Sequence, residues 1–273
     1  MKYYIGIDLG GTNIVAGVVD EQYNILAKAS TKTNCPRPDR EIARDMAKMA
    51  IQAVENAKLT MDQIEWIGIG TPGIANSRDG IIEYSNNLGF VNTPMVKYIQ
   101  EDIDKPVFVE NDANAAAYGE FVAGAAKGAN NAVCITLGTG VGGGIIIDGK
   151  IYSGFNFAGG ELGHVVIVKD GRQCGCGRRG CWETYSSATG LTNMTREKVT
   201  ELSLKGIPSV MVDEYKATGK VTARTAFDGM RRGDKAASEV VDMYISYLAC
   251  GIANMVNIFQ PEVLCVGGGI SNE

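Results

Sequence analysis

Ile5-Gly-Ile-Asp-Leu-Gly-Gly-Thr-Asn-Ile-Val-Ala-Gly-Val-Val-Asp20 lies over Val133-Cys-Ile-Thr-Leu-Gly-Thr-Gly-Val-Gly-Gly-Gly-Ile-Ile-Ile-Asp148 without a gap. In both, β-branched residues run into Leu-Gly, a small-residue turn follows, and a second apolar strand ends at Asp. Each copy predicts a β-hairpin whose turn has little side-chain bulk and lets backbone N–H groups approach an anion. A single glycine-rich hairpin says little. Two, one near the start of each half, predict two related lobes facing a shared phosphate.

The segments around the hairpins read as α/β. Residues 25–31 continue the first meander, and 39–58 place Ile42, Met46, Met49, Ala50 and Ala53 at helical spacing. A strand is predicted at 64–70, a short helix at 95–104, and a strand at 107–110 that stops at Asn111-Asp112 before a helix. The boundary is placed there, giving a smaller N-terminal α/β lobe at 1–112 and a larger C-terminal α/β lobe at 113–273. In the second lobe, apolar periodicity predicts helices at 181–192, 196–204, 221–229 and 234–258. A last strand at 263–266 then runs into Gly267-Gly268-Gly269.

The 273 residues suffice for one large or two modest domains, and 45% hydrophobic with 21% charged residues is the balance of a soluble globule. A net charge of −5 gives no electrostatic case for nucleic acid or an anionic membrane. No apolar run reaches the length of a membrane span, and the N-terminus lacks a signal-peptide layout, so a cytoplasmic location is expected. Of the seven cysteines, Cys134, Cys250 and Cys265 stand in apolar surroundings and are expected as buried, reduced thiols.

Cys35 stands alone, and the other three, Cys174, Cys176 and Cys181, are thiols within eight residues, preceded by the single histidine, His164. Glycines and arginines around close thiols argue against burial in a core, and three thiolates with one imidazole complete a tetrahedral shell. The prediction is structural Zn²⁺, because a catalytic zinc would leave a position open. If one ring nitrogen of His164 binds the metal, the other is fixed for a further partner, such as a hydroxyl. Glu161 and Glu183 bracket the cluster, and Asn86, Asn87 and Asn111 add amides; both groups can bind the hydroxyls of a polyol. Asn86 and Asn87 serve equally well as turn residues.

Asp112 stands between a predicted strand end and a helix start, where ligands gather in α/β sheets. There it could accept a hydroxyl proton in phosphoryl transfer, or simply cap the helix. Asp8 ends the first strand before Gly10-Gly11-Thr12, where a carboxylate can hold hydrated Mg²⁺, or can merely shape the turn. Neither Gly10-Gly11-Thr12 nor Gly138-Thr139-Gly140 fits the P-loop or the dinucleotide fingerprint.

In order, Asp8-Leu-Gly-Gly-Thr12, Glu110-Asn-Asp-Ala-Asn114, Leu137-Gly-Thr-Gly140, Gly160-Glu-Leu-Gly-His164, Cys174-x-Cys176-Gly-x-x-Gly-Cys181-x-Glu183 and Gly267-Gly-Gly269 resemble the ROK family of repressors, open reading frames and sugar kinases. Within it, the bacterial glucokinases are the nearest match, over nearly the whole chain. The resemblance implies an actin-like (ribonuclease H-like) ATPase fold with ATP and a small-molecule hexose in a cleft between two lobes. It implies Asp112 as the base acting on the sugar 6-hydroxyl, with Asn87, Asn111, Glu161, His164 and Glu183 on the other hydroxyls. Gly10, Gly11 and Thr12 with Gly138, Thr139 and Gly140 would hold phosphates, and Gly267, Gly268 and Gly269 would lie near adenosine. Family members are commonly homodimers or homotetramers.

Two departures accompany the resemblance. Asn13 stands where many members carry Lys, so a phosphate-facing cation is expected from elsewhere. Relatives continue with further helices, the last packing back on the first lobe. The chain is therefore expected to lack C-terminal helices and to leave part of the ATP pocket uncovered. The expected activity is ATP- and Mg²⁺-dependent phosphorylation of glucose, with a kinase for N-acetylmannosamine or fructose, or a non-catalytic sugar-sensing protein, as alternatives. A repressor of this family would carry an N-terminal winged helix, whereas here the first strand begins at once. An actin-like chaperone ATPase would have no use for a zinc-bound histidine.

Overall fold

The computed structural model describes residues Met1–Glu273, and these form two compact units, each with its own core. The first comprises Met1–Gly124 with Ile151–Gly160, the second Ala125–Lys150 with Glu161–Glu273.

In the first unit, strands β1 (Tyr3–Leu9), β2 (Asn13–Asp20) and β3 (Ile25–Lys32) form the meander and α1 (Asp39–Asn56) follows. After β4 (Ile64–Thr71) come three short strands, β5 (Ile74–Asn76), β6 (Ile81–Ser85) and β7 (Phe90–Thr93), then α2 (Met95–Gln100), β8 (Val107–Asn111) and α3 (Asp112–Ala123). The main sheet has the order β3-β2-β1-β4-β8, with β1, β4 and β8 parallel. Alternation along β1 turns Ile5, Ile7 and Leu9 inward, where they join Ile67, Ile69 and Val109 against Ile42, Met46 and Ala50 of α1. The parallel strands thus point their C-terminal ends, with Asp8, Thr71 and Asn111, to one edge of the unit.

The second unit repeats the plan. Strands β9 (Ala132–Leu137), β10 (Val141–Ile147), β11 (Lys150–Ile151) and β12 (Val263–Gly267) form a sheet of order β11-β10-β9-β12, with β12 parallel to β9. Helices α4 (Glu183–Ser186), α5 (Ala188–Lys205), α6 (Val210–Thr218), α7 (Ala223–Arg231) and α8 (Lys235–Phe259) supply the rest of its core. No helix is long and apolar enough to cross a membrane.

Several sequence expectations shift. The hairpins match in topology, but the gap-free overlay is offset by one residue on the second strand. Leu9 pairs with Ile14 around residues 10–13, whereas Leu137 pairs with Val141 around residues 138–140. The units divide at Gly124/Ala125 rather than at 112/113, because α3 packs on β4 and β8 of the first sheet. The helices expected at 181–192 and 196–204 are instead α4 and one continuous α5, broken at Ser187. That residue is extended and its hydroxyl accepts from Gly190 N–H at 3.0 Å. Helix α6, unforeseen, is bounded by the Ser209 cap and Gly219 at φ 68. Cys250 is exposed on α8, while Cys134 is buried and Cys265 half-buried.

Helix α8 also anchors the cysteine loop. Trp182 is fully buried, its indole N–H donates to the Tyr247 carbonyl at 3.1 Å, and its ring lies against Gly251, where any Cβ would collide with it. Gly251→Ala gains about 1 kcal/mol of helix propensity but overpacks a rigid ring at a cost of about 2–3 kcal/mol. The expected result is a net loss of stability, read as a lower thermal unfolding midpoint; an unchanged or higher midpoint shows that the indole is not clamped.

Candidate active site

In the first unit, α3 begins at the end of β8, and Asn111 is its cap. The Asn111 Oδ1 accepts from Ala113 N–H (2.9 Å) and Asn114 N–H (3.2 Å), and its Nδ2 donates to the Gly73 carbonyl (3.0 Å). The capping role open to Asp112 therefore falls to its neighbour, and Asp112 presents an exposed carboxylate at the first helical position. One of its oxygens accepts from Ala113 N–H at 2.8 Å.

Asp8 lies opposite Gly70 in the strand register, and a Cβ at Gly70 would stand 3.7 Å from the Asp112 Cα. Partial burial, followed by the negative charge of Asp112, raises the Asp8 pKa above its ordinary value. Next to Asp8, Gly10 N–H donates to the Asn13 carbonyl at 2.9 Å to close the glycine turn. Asn87, in the β6–β7 turn, borders it: its carbonyl would be 3.7 Å from a Cβ on Gly11. Asn86 is a turn residue, its carbonyl accepting from Gly89 N–H at 3.4 Å.

In the second unit, one ligand atom from each of His164, Cys174, Cys176 and Cys181 lies within 4.8 Å of every other. His164 Nδ1 is 3.6 Å from Cys174 Sγ, and Cys176 and Cys181 Sγ are 3.6 Å apart. A tetrahedron with bonds of about 2.3 Å has edges of about 3.8 Å, so the four atoms fit a zinc ion with little movement. Burial, helped by the neighbouring thiols, pushes Cys181 up to about 12. Burial also raises Cys174, whereas the Arg178 backbone N–H leads in lowering the exposed Cys176. A dication would displace these protons and satisfy all three sulfurs.

Glu183 stands between this cluster and the second glycine turn. Its Oε2 accepts from Val141 N–H at 3.1 Å, its Oε1 lies 4.0 Å from Cys174 Sγ, and a Cβ at Gly140 would collide with it. Glu161 opens the single turn that carries His164, whose N–H donates to the Glu161 carbonyl at 3.0 Å. The second glycine turn is tied to the start of α5, with Gly138 and Thr139 carbonyls accepting from Ala188 N–H (2.9 Å) and the Thr189 hydroxyl (2.8 Å). Gly268, at φ 100, packs on the Leu137 backbone, so the Gly267–Gly269 segment adjoins the same end of β9.

Sequence reasoning missed Thr33. It is fully buried, and its hydroxyl donates to the Gly10 carbonyl at 2.6 Å. Nothing in its local sequence marks it; the strand register alone brings it to the turn.

The model of the ROK family matches residues 4–273. The chain belongs to the ROK family. It is 36% identical over 271 residues to the glucokinase of Halalkalibacterium halodurans, covering 99% of this chain and 81% of that protein. A crystal structure of a ROK glucokinase from Streptomyces griseus with glucose and AMPPNP matches with a TM-score of 0.80 at 33% identity, covering 99% of this chain and 84% of that one. The xylose repressor of Bacillus spizizenii is 31% identical over 272 residues, which is 98% of this chain and 64% of the repressor. The fold of this ROK chain is the α/β, actin-like ATPase fold of the family's sugar kinases.

Two predictions follow from the geometry. The purified protein should carry one zinc per chain, and Cys176→Ser or prolonged chelation should lower its thermal midpoint; absence of stoichiometric zinc removes the metal assignment. For Asp8, the folded state holds a proton more tightly than the unfolded chain does, so stability falls as pH rises through the carboxylate's raised titration range. In chelator, Asp8→Asn should melt higher than wild type at about pH 7, and the gap should close at about pH 3.5, where the wild-type carboxyl is protonated. A gap that widens on acidification reverses the sign.

Proposed function

We propose that the protein is a glucokinase that transfers the terminal phosphate of ATP to the 6-hydroxyl of glucose. The observation that carries this reading is a likeness running through 99% of the chain, in sequence to a glucokinase and in fold to a glucokinase bound to glucose and AMPPNP.

In this reading Asp112 accepts the proton of the 6-hydroxyl as the phosphoryl group arrives. Its exposure at the first helical position leaves the carboxylate open to a hydroxyl. The family resemblance assigns the remaining hydroxyls to Asn87, Asn111, Glu161, His164 and Glu183. His164 turns Nδ1 toward the thiols, which leaves Nε2 for a hydroxyl, and the zinc set fixes the ring. Residues Gly10–Thr12 and Gly138–Gly140 receive phosphates through the N–H groups of Gly11, Thr12, Thr139 and Gly140, since Gly10 and Gly138 N–H close the turns internally, and Gly267–Gly269 border the adenosine. Mg²⁺, when bound with the nucleotide, neutralises charge on the phosphates, and Asp8 is placed to hold one of its waters.

The match to a xylose repressor supports a second reading, in which the chain binds a sugar without phosphorylating it. Coupled ADP release across glucose, fructose, mannose and N-acetylmannosamine separates the two. Sugar-dependent ADP formation supports the kinase, whereas a sugar-dependent thermal shift with no ADP supports the sensor. Asp112→Asn should cut turnover on glucose by about 10²–10⁴-fold while calorimetry still detects glucose binding; turnover within a few-fold of wild type removes Asp112 as the base.

A further inference from the structure

We propose that Lys32 is the phosphate-binding cation of the first glycine turn, and that Asn13 is the positioning residue that aims it. The proposal rests on the kinase reading, in which residues 10–12 receive part of a polyphosphate.

The turn offers N–H groups but no positive side chain of its own, since residues 10–13 are Gly, Gly, Thr and Asn. Two carboxylates stand close by, and the negative charge of Asp112 is felt at Asp8. A polyphosphate arriving there meets repulsion unless a fixed cation compensates. Lys32 is the last residue of β3 and lies directly across the strand pair from Asn13. Its ammonium donates to Asn13 Oδ1 at 2.8 Å, and the side chain is otherwise exposed. An ammonium has three donors, so two remain for phosphate oxygens.

The backbone that carries Lys32 is pinned to the turn by the next residue. The Thr33 hydroxyl donates to the Gly10 carbonyl at 2.6 Å, and its N–H donates to the Thr12 carbonyl at 2.9 Å. The nearby cation Arg37 is mostly committed and turned inward, its Nη2 buried and the one nitrogen without a partner. It forms an ion pair with Asp45 at 2.7 Å, and its Nε donates to the Thr33 carbonyl at 2.7 Å. Lys32 is therefore the ammonium that the register delivers to the turn, from the neighbouring strand rather than from position 13 itself.

The test is calorimetric titration of Mg²⁺–AMPPNP into the full chain, with KM values for ATP and glucose measured alongside. Lys32→Ala should weaken nucleotide binding about tenfold, the low end for a charged hydrogen bond at an exposed position, and raise the KM for ATP with that for glucose unchanged. Lys32→Arg should stay within about threefold of wild type. The relocated charge of the double variant Asn13→Lys/Lys32→Ala should recover most of the affinity that Lys32→Ala loses. Nucleotide affinity in Lys32→Ala equal to wild type overturns the proposal, as does a double variant no tighter than Lys32→Ala. A wild-type chain that binds nucleotide but phosphorylates no hexose would sink the kinase reading alone, because the titration still reports on Lys32.

Discussion

Each glycine turn of this protein is closed by one backbone hydrogen bond of its own, Gly10 N–H to the Asn13 carbonyl and Gly138 N–H to the Gly140 carbonyl, and the rest of its shape is held by groups outside it. The first is held by Thr33, which bonds the Gly10 and Thr12 carbonyls and is itself tied through Arg37 to Asp45 of α1. Burial pushes the Asp45 carboxyl up, but hydrogen bonds and charge from Arg37 and Lys48 outweigh it, so it sits below its ordinary value. The second turn is held by Ala188 and Thr189 at the start of α5 and by the Glu183 carboxylate on Val141 N–H. Carbonyls committed in this way, with Gly10 and Gly138 N–H closing the turns, leave the remaining turn N–H groups as the part of the backbone able to meet an anion, at a reduced ordering cost when it arrives. Glu183 also excludes any side chain at position 140, so the backbone stays approachable there.

Both units gather groups whose ionised forms call for a cation. At the strand ends of the first, the Asp8 carboxyl is driven toward its protonated form by burial and by Asp112. In the second, burial raises two of the three clustered thiols. Neither arrangement helps the fold as such. The surrounding core offsets the cost: β1, β4 and β8 are anchored by apolar side chains on α1, and the cysteine loop by a fully buried Trp182 on α8. Ionisable groups gathered and desolvated on a rigid scaffold are the usual physical mark of a site kept for binding.

Much of this was legible in the sequence because it depended on short-range pattern. Period-two apolar strands, the glycine turns and α1 follow from local chemistry, and they fall within a few residues of their predicted places. The cysteine spacing and the single upstream histidine foretold the grouping of His164, Cys174, Cys176 and Cys181. What stayed hidden depended on register. Thr33 and Lys32 reach the first turn only because β3 pairs with β2, and Gly251 meets Trp182 across 69 positions of chain, the difference of their numbers. The β5–β7 sheet was missed because its strands are three to five residues long, too short for alternation to be read. The boundary was misplaced because a helix start was taken for a unit end, although α3 packs on the sheet from which it departs.

Asn111 shows how far hydrogen-bond accounting can narrow a role that spacing leaves open. A side-chain amide has an oxygen with two lone pairs and a nitrogen with two hydrogens. Here the oxygen accepts from two helix N–H groups and one hydrogen goes to the Gly73 carbonyl. A single N–H donor remains. Asn111 can therefore serve a sugar only by donating to a hydroxyl oxygen, and it cannot accept from one without releasing the cap. The cap, in turn, fixes the first turn of α3 and with it the direction of Asp112. The asparagine thus acts on the proposed chemistry more through the helix it starts than through any hydroxyl it touches, and the acceptors that a polyol needs must come from the carboxylates and the Asn87 amide oxygen.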